Sequence, residues 1–177
     1  MKLQRLLIIV DYQNDFVDGT LGFKGAELLE PYLYQLAKEY EAKGDEVIFT
    51  LDTHGDDYFK TIEGQKLPLK HTVKGTKGWE IYGRLKDVAS RHLHFEKTTF
   101  ASDALLEYLK THQPTFREIT LVGLVSHICV TANAIIAKAA LPNVPIIVDS
   151  KGADSFDKEA EKNAYATLEK LHIEVIK

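Results

Sequence analysis

Residues 6–11 read LLIIVD, five consecutive apolar residues followed by an aspartate. A strand that is apolar at every position is typical of a parallel sheet covered on both faces, because neither side of such a strand can lie in water. Further short apolar segments that suit strands lie at 46–51, 92–95, 119–123, 145–148 and 173–176. Residues 6–10 are therefore predicted to form the first strand of a mainly parallel six-stranded sheet.

Helical periodicity appears between these strands. Apolar residues recur with a period near that of an α-helix over 26–43, 103–112, 127–140 and 157–171. Ser102, Ser126 and Ser155 are candidate N-caps for the last three helices. Strands that alternate with helices predict one domain, residues 1–177, with a three-layer α/β/α Rossmann-like fold. Residues 53–83 follow neither period and contain several glycines and a proline, so they are predicted to form a long functional loop.

The composition narrows the class of partner. The 177 residues carry a formal net charge of -4, and both signs are interspersed, so no basic stripe is available for nucleic acid. No apolar run reaches the length of a membrane span. The N-terminal apolar run stops at Asp11 without a small-residue cleavage site, which favours a cytoplasmic protein. A small molecule is the expected partner, and association into a homo-oligomer stays open because no segment identifies an interface.

Cys129 is the only cysteine of the chain, which excludes an internal disulfide and a thiolate-rich zinc site. By itself, such a cysteine is more often a small buried hydrophobic residue than a reactive thiol. The residues that accompany Cys129 at the ends of the predicted strands therefore decide between these two interpretations.

Polar residues follow four of the predicted strands: Asp11 the first, Asp52 and His54 the second, Lys97 the third and Cys129 the fourth. The carboxyl ends of parallel strands meet at one edge, which is where ligands bind in such folds. Cys129 falls at a predicted helix start, where the helix dipole favours a thiolate and free N–H groups can bind an oxyanion. Asp11 could exchange a proton with the thiol, and Lys97 could tune both groups. Taken singly, a strand-end cap and a surface lysine are the simpler interpretations.

A second group of residues has the composition of a metal site. Asp52 and His54 are separated by one residue, and Glu63 and His71 follow in the predicted loop. Imidazole and carboxylate ligands suit Zn, Mn or Fe as divalent ions. The Asp-x-His pair alone is more often ordinary loop sequence, and the later Glu63 and His71 shift the interpretation towards a divalent metal ion.

Five segments, in this order and spacing, resemble the nicotinamidase branch of the isochorismatase-like cysteine hydrolases. They are DYQNDF at 11–16, DTH at 52–54, HTVKGTKG at 71–78, EKT at 96–98 and GLVSHICVTA at 123–132. Each segment is weak alone, but together they cover nearly the whole chain. The resemblance implies that Asp11 is the general base and acid, that Cys129 is the nucleophile and that Lys97 is the third catalytic residue.

The same resemblance implies the surroundings of the reaction centre. Asp52, His54 and His71 match metal ligands, and Glu63 matches a further carboxylate of some nicotinamidases. A cis peptide is expected between Leu124 and Val125, with the N–H groups of Val125 and Cys129 as the oxyanion hole. Phe16 and Leu124 are expected to contact the substrate.

The implied activity is that of an amidase that converts nicotinamide and water to nicotinate and ammonia through a thioester. The chain has Ser126-His127 where relatives usually have Thr-Asp, so hydrolysis is indicated more firmly than the substrate. Another small amide, carbamoyl or ureido compound is the alternative substrate. A non-catalytic binding protein on the same fold is a competing hypothesis, and so is a redox sensor, although no resolving cysteine is present.

Overall fold

A computed structural model describes residues 3–112 and 115–177 of the chain. Its centre is one six-stranded sheet in which every neighbouring pair is parallel, with the strand order β3-β2-β1-β4-β5-β6. The strands are β1 (Arg5–Val10), β2 (Glu46–Asp52), β3 (Leu93–Lys97), β4 (Glu118–Leu124), β5 (Ile146–Asp154) and β6 (Glu174–Ile176). The predicted α/β fold with a parallel six-stranded sheet is therefore confirmed.

The helices of the described residues are α1 (Asn14–Val17), α2 (Glu30–Ala42), α3 (Ile62–Lys66), α4 (Leu85–Ala89), α5 (Asp103–Thr111), α6 (Thr131–Ala140) and α7 (Lys158–Lys170). Short 3-10 turns lie at Ala26–Leu29, Tyr58–Lys60 and Lys77–Trp79, and a π-helical turn at Ser126–Val130 precedes α6. None of these helices is both long and apolar enough to cross a membrane.

Two of the predicted N-caps and the predicted loop need correction. Ser102 caps α5 by accepting the N–H of Leu105, as expected, but α7 is capped by Asp157, whose carboxylate accepts the N–H of Ala160. Ser126 lies inside the π-helical turn rather than at its cap. The predicted loop at 53–83 contains α3 and two 3-10 turns, which are too short to produce a readable helical period.

The apolar run of β1 supplies both faces of the sheet. Leu6 and Ile8 pack into a core cluster with α5, α6 and α7, whereas Leu7 and Ile9 pack into a second cluster with α2 and α4. Successive strand residues point to opposite faces of the sheet. In a central strand covered on both faces, every side chain is therefore buried, and apolar residues are favoured at every position. This arrangement confirms the three layers.

The direction in which successive strands are added to the sheet reverses at β1. From β1 the chain builds outward through β2 and β3 on one side, and then returns to place β4, β5 and β6 on the other. A crevice opens at the carboxyl ends of the two strands at such a reversal, and ligands bind there in open α/β sheets. Here those strands are β1 and β4, which end next to Asp11 and Val125.

Gly123 allows β4 to lie close to β1 at this crevice. Its φ is +111°, and a Cβ added there would lie 2.1 Å from the carbonyl oxygen of Val10. We expect Gly123→Ala to lower the free energy of unfolding in urea by about 3 kcal/mol or more, because backbone cannot yield as a side chain can. Gly44→Ala is the control, because its φ of +69° is also unfavourable but its Cβ meets nothing within 4 Å; it should cost only about 1–2 kcal/mol. Equal losses of unfolding free energy in the two variants would contradict a role for the close approach of β4 to β1.

Candidate active site

Asp11, Lys97 and Cys129 come together in a buried cluster at the crevice. Asp11 directly follows β1, Lys97 ends β3 and Cys129 lies in the π-helical turn after β4. Nζ of Lys97 lies 2.7 Å from Oδ2 of Asp11 and 3.8 Å from Sγ of Cys129. All three side chains are nearly excluded from water, with exposed fractions of 0%, 3% and 7% in that order. A lysine is rarely buried unless it is paired, so these groups form a charge cluster rather than a solvated surface.

The electrostatics of the cluster keep a cation at its centre. Burial alone would lower the pKa of Lys97, but the charges of Asp11, Cys129 and Asp52 outweigh it and raise the pKa above its usual value. Burial raises the pKa of Asp11, and the opposing effect of Lys97 does not cancel that rise. A carboxylate with a raised pKa beside a permanent cation can both accept and return a proton.

The surroundings of Cys129 favour the neutral thiol over the thiolate. Burial raises its pKa, the charge of Lys97 lowers it, and the carboxylate of Asp11 raises it again, with a net rise. If this thiol acts as a nucleophile, a nearby base must first take its proton, and the carboxylate of Asp11 lies in the same buried cluster.

Two further polar side chains orient this cluster. Thr50 of β2 donates its hydroxyl hydrogen to Oδ1 of Asp11 at 2.7 Å, while the N–H of Asp11 donates to the Thr50 carbonyl at 3.1 Å. Asn133 of α6 donates to the carbonyls of Cys129 at 2.8 Å and Phe100 at 3.1 Å. Sequence reasoning missed both residues, because no motif marks them and because Asp11 and Phe100 lie more than 30 residues away from Thr50 and Asn133, respectively.

The turn that carries Cys129 begins at a cis peptide between Leu124 and Val125, as expected from the resemblance. The N–H of Val125 donates to no acceptor within residues 3–112 and 115–177. It is therefore free to bind an oxygen atom of a ligand. Leu124 itself is fully buried in the cluster covered by α2 and α4, and it does not line the cavity described below. Its predicted contact with substrate has no geometric support, because its side chain points into the core.

Asp52, His54 and His71 form the candidate metal centre. One ligand atom from each lies within 4.8 Å of the other two, and all three residues are buried. Oε1 of Glu63 lies 3.5 Å from Nε2 of His71 and 3.8 Å from Nε2 of His54, so it faces the same point. The Nε2 atom of His54 is buried. It lies 2.9 Å from Oδ2 of Asp52, but the two atoms are not aligned for a hydrogen bond, and Nε2 has no other hydrogen-bond partner among the described residues. An unpaired nitrogen among carboxylates fits a divalent cation, whose ligands are nitrogen and oxygen atoms of this kind.

Neighbouring groups orient these ligands. Nδ1 of His71 lies 2.7 Å from the carbonyl of Leu69, and because a carbonyl can only accept, Nδ1 carries the hydrogen and Nε2 is free to bind a metal. The hydroxyl of Thr72 donates to Oδ2 of Asp52 at 2.7 Å. The amide of Gln13 donates to the Asp52 carbonyl and accepts the Asp52 N–H. Thr72 and Gln13 lie in segments that the sequence singled out, but their roles as supports are visible only in the structure.

The charge of this group favours a bound cation. Burial lowers the pKa of His71, but hydrogen bonds and charge from Asp52 and Glu63 outweigh it and raise the pKa to about 10. Burial raises the pKa of Asp52, whereas His54, His71 and Lys97 lower it to well below its usual value. Clustered carboxylates at a buried point attract positive charge, whether it is a proton or a metal ion.

A cavity of about 300 Å³ connects the two groups. Asp52, Glu63, His71 and Cys129 face it, and its wall is mostly apolar: Phe16, Leu21, Gly22, Phe23, Leu67, Phe100, Val125, Ile128 and Phe156. The ring of Phe16 also packs edge-on against His71, with the centroids 5.7 Å apart. Phe16 thus lies where a substrate contact was predicted, and Phe23, Phe100, Ile128 and Phe156 are wall residues that the sequence did not identify.

Comparisons with known proteins identify the family of the chain. The family model described as Isochorismatase domain matches residues 5–177. By sequence, the chain is 33% identical over 170 residues to the uncharacterized isochorismatase family protein PncA of Bacillus subtilis (strain 168), covering 89% of this chain and 90% of that protein.

Solved structures share the fold. The nicotinamidase PncA from Bacillus subtilis superposes with a TM-score of 0.82 at 26% identity, covering 99% of this chain and 100% of the other. The pyrazinamidase of Pyrococcus horikoshii in complex with zinc superposes with a TM-score of 0.84 at 19% identity, covering 98% and 99%. The family match and the similarity to the nicotinamidase PncA support an amidohydrolase that acts on carbon–nitrogen bonds. The chain belongs to the isochorismatase family of hydrolases.

Proposed function

We propose that this hydrolase is a cysteine-dependent amidase that releases ammonia from nicotinamide or a closely similar neutral aromatic amide. The observation that carries the proposal is the position of Nζ of Lys97, 2.7 Å from the Asp11 carboxylate and 3.8 Å from the Cys129 sulfur beside the cavity. An ion pair that has only a structural role would not need a nucleophile as its third member.

The first half of the reaction forms a thioester. Asp11 takes the proton of the Cys129 thiol, and the sulfur attacks the carboxamide carbon. The N–H groups of Val125 and Cys129 stabilise the negative oxygen of the tetrahedral intermediate. The C–N bond then breaks, and the leaving nitrogen takes the proton from Asp11 and departs as ammonia. Lys97 keeps its positive charge throughout and limits the energy of the anionic states.

The second half of the reaction regenerates the thiol. Asp11, again a carboxylate, takes a proton from water, and the oxygen attacks the thioester carbon. The C–S bond breaks, the acid leaves, and the sulfur recovers its proton from Asp11. The same residue acts as base and acid in turn, which requires a pKa that burial has raised.

A divalent metal ion would be held by Asp52, His54 and His71, with Glu63 as a further oxygen ligand. When bound, the ion would supply a Lewis-acidic anchor for a nitrogen or oxygen atom of the ligand. Its ligands would be held in their binding orientation by Thr72, by Gln13 and by the Leu69 carbonyl. Zn, Mn and Fe all accept this donor set.

The cavity wall supports a neutral, flat substrate. Among the residues that line it in the described chain, none is Lys or Arg, and the wall is rich in aromatic and aliphatic side chains. A ureido or carbamoyl acid carries a carboxylate that would lie against this mostly apolar wall with no lysine or arginine to pair with it, at a substantial cost. An aromatic amide buries its ring against apolar surface and has no such charge. Nicotinamide is therefore favoured over the anionic members of the alternative substrate class.

Ammonia release from nicotinamide and pyrazinamide by the purified protein, with and without a chelator, tests the proposal. We expect turnover that the chelator abolishes and that added Zn²⁺ or Mn²⁺ restores. Full turnover in a protein shown by elemental analysis to be metal-free would contradict the metal assignment. No release by a folded, metal-loaded protein would contradict the choice of substrate.

Glu63→Gln separates metal binding from catalysis. If Glu63 is a ligand, loss of its charge should weaken metal affinity by about 10- to 100-fold. The measurement is metal retention during titration with a competing chelator. Glu107→Gln is the control, because Glu107 lies on α5, is largely exposed and does not face the cavity. Unchanged retention in Glu63→Gln would remove Glu63 from the ligand set.

A further inference from the structure

Two phenylalanine side chains meet at the mouth of the cavity and are called here the mouth pair. Phe23 follows α1, and Phe156 lies between β5 and α7. Their ring centroids are 6.1 Å apart and their planes are inclined by 71°, an edge-to-face contact. Both rings line the cavity, yet 62% of Phe156 is exposed. A large apolar side chain that faces both the cavity and the solvent stands at the boundary between them.

The backbone on either side of Phe156 is held by hydrogen bonds. Oγ of Ser155 accepts the N–H of Asp157 at 3.0 Å, and the N–H of Ser155 donates to Oδ1 of Asp154 at 2.7 Å. Asp157 is itself tied to α7 as its N-cap. The Phe156 ring therefore extends from an anchored turn rather than from a loose loop.

His127 connects this turn to the nucleophile. It lies in the π-helical turn two residues before Cys129, and its Nδ1 is 2.7 Å from Oγ of Ser155. Because Oγ already accepts the N–H of Asp157, its own hydrogen can be donated to Nδ1. The His127 ring also packs edge-on against Phe156, with the centroids 5.5 Å apart and the planes inclined by 78°. One side chain thus contacts both the anchor and the ring of the mouth residue.

We propose that Phe156 is the specificity-determining residue of the cavity, and that His127 is a positioning residue that holds the Phe156 ring against Phe23. This inference rests on the proposed amidase function. A flat aromatic amide fits beneath the mouth pair and gains ring contact with it. An amide whose ring system extends past the mouth collides with Phe156, so the pair limits the size of the substrate.

The test compares nicotinamide with quinoline-3-carboxamide, which carries a second fused ring on the same carboxamide. For Phe156→Ala we expect the KM for nicotinamide to rise about three- to tenfold, from the lost ring contact, with kcat little changed. The ratio of kcat/KM for the larger amide to that for nicotinamide should rise at least about tenfold. Leu171→Ala is the control, because Leu171 is an exposed apolar residue at the other end of α7. A ratio in Phe156→Ala equal to that in the control would overturn the proposal.

His127→Ala tests the positioning role separately. His127→Ala should raise KM for nicotinamide without lowering kcat. The double variant with Phe156→Ala should have the same KM as Phe156→Ala alone, because both changes remove the same interaction. His127→Asn keeps a polar atom near the place of Nδ1 and should recover part of the effect. A fall in kcat at unchanged KM would show that His127 acts on the turn of Cys129 instead, and would overturn the positioning role.

A binding measurement separates this proposal from the proposed function. If the metal-loaded wild-type protein hydrolyses neither amide, calorimetry on Cys129→Ala, with and without Phe156→Ala, reports the mouth pair directly. Weaker nicotinamide binding after Phe156→Ala would support the mouth pair even though the amidase proposal had failed. Equal binding, or no binding of either amide, would overturn the mouth pair as well.

Discussion

Replacing Cys129 by alanine is expected to lower ammonia release by at least about 10⁴-fold, because the proposed reaction has no path without a covalent sulfur intermediate. The side chain is small and lies at the cavity wall, so the fold should be retained. Steady-state release of ammonia from nicotinamide, with circular dichroism and thermal unfolding on the same sample, measures both quantities.

Cys129→Ser is the matched control for this change. It keeps a hydroxyl nucleophile of similar size, but the hydroxyl is far less acidic than the thiol, so it should remain nearly as inactive as the alanine variant. Mass spectrometry of the wild-type protein, quenched during turnover, should find the acyl group on the single cysteine-containing peptide. Substantial activity in the alanine variant would rule out the thioester route.

Asp11→Asn is expected to affect both activity and stability. Loss of the base should lower kcat by about 10²- to 10⁴-fold. The change also leaves the buried ammonium of Lys97 without its nearest carboxylate, since Oδ1 of Asp52 is farther away at 3.3 Å. Breaking a buried pair in this way should lower the free energy of unfolding by about 3 kcal/mol, measured by urea denaturation.

The double variant Asp11→Asn/Lys97→Met distinguishes the two effects. Removing the orphaned charge should recover much of the lost stability, because a neutral pair has no uncompensated charge to bury. Activity should stay at the level of the single variant or below it. If Asp11→Asn retained wild-type kcat, Asp11 would be a structural partner of Lys97 and not the proton carrier.

The parallel sheet was predictable from the sequence because the apolar pattern of β1 is a local property. A run such as residues 6–10 has one stable environment, a central strand covered on both faces, and the structure has it there. The short helices within 53–83 were not predictable, since α3 has five residues, a local cap at Thr61 and only one buried residue, and therefore shows no repeating apolar face.

The residue types of the candidate site were also readable, but its supports were not. Their positions at the ends of strands identify Asp11, Lys97 and Cys129 as candidates. The spacing of imidazole and carboxylate groups identifies Asp52, His54 and His71. Thr50, Thr72 and Asn133 act through hydrogen bonds to Asp11, Asp52 and Phe100, respectively, which lie 20 or more residues away along the chain. A hydroxyl or amide that is polar in sequence does not reveal which distant group it will meet.

The sequence by itself determined the chemistry that is available to this protein: one thiol, a carboxylate and an ammonium at strand ends, and a donor set for a divalent ion. Only the tertiary structure decided which of these groups touch. The strand order places β1 between β2 and β4, so Asp11 meets groups from both sides, and the turns after α1 and β5 bring Phe23 to Phe156. Such contacts depend on crossovers that pair segments distant in the chain, and no local pattern of side chains encodes that pairing.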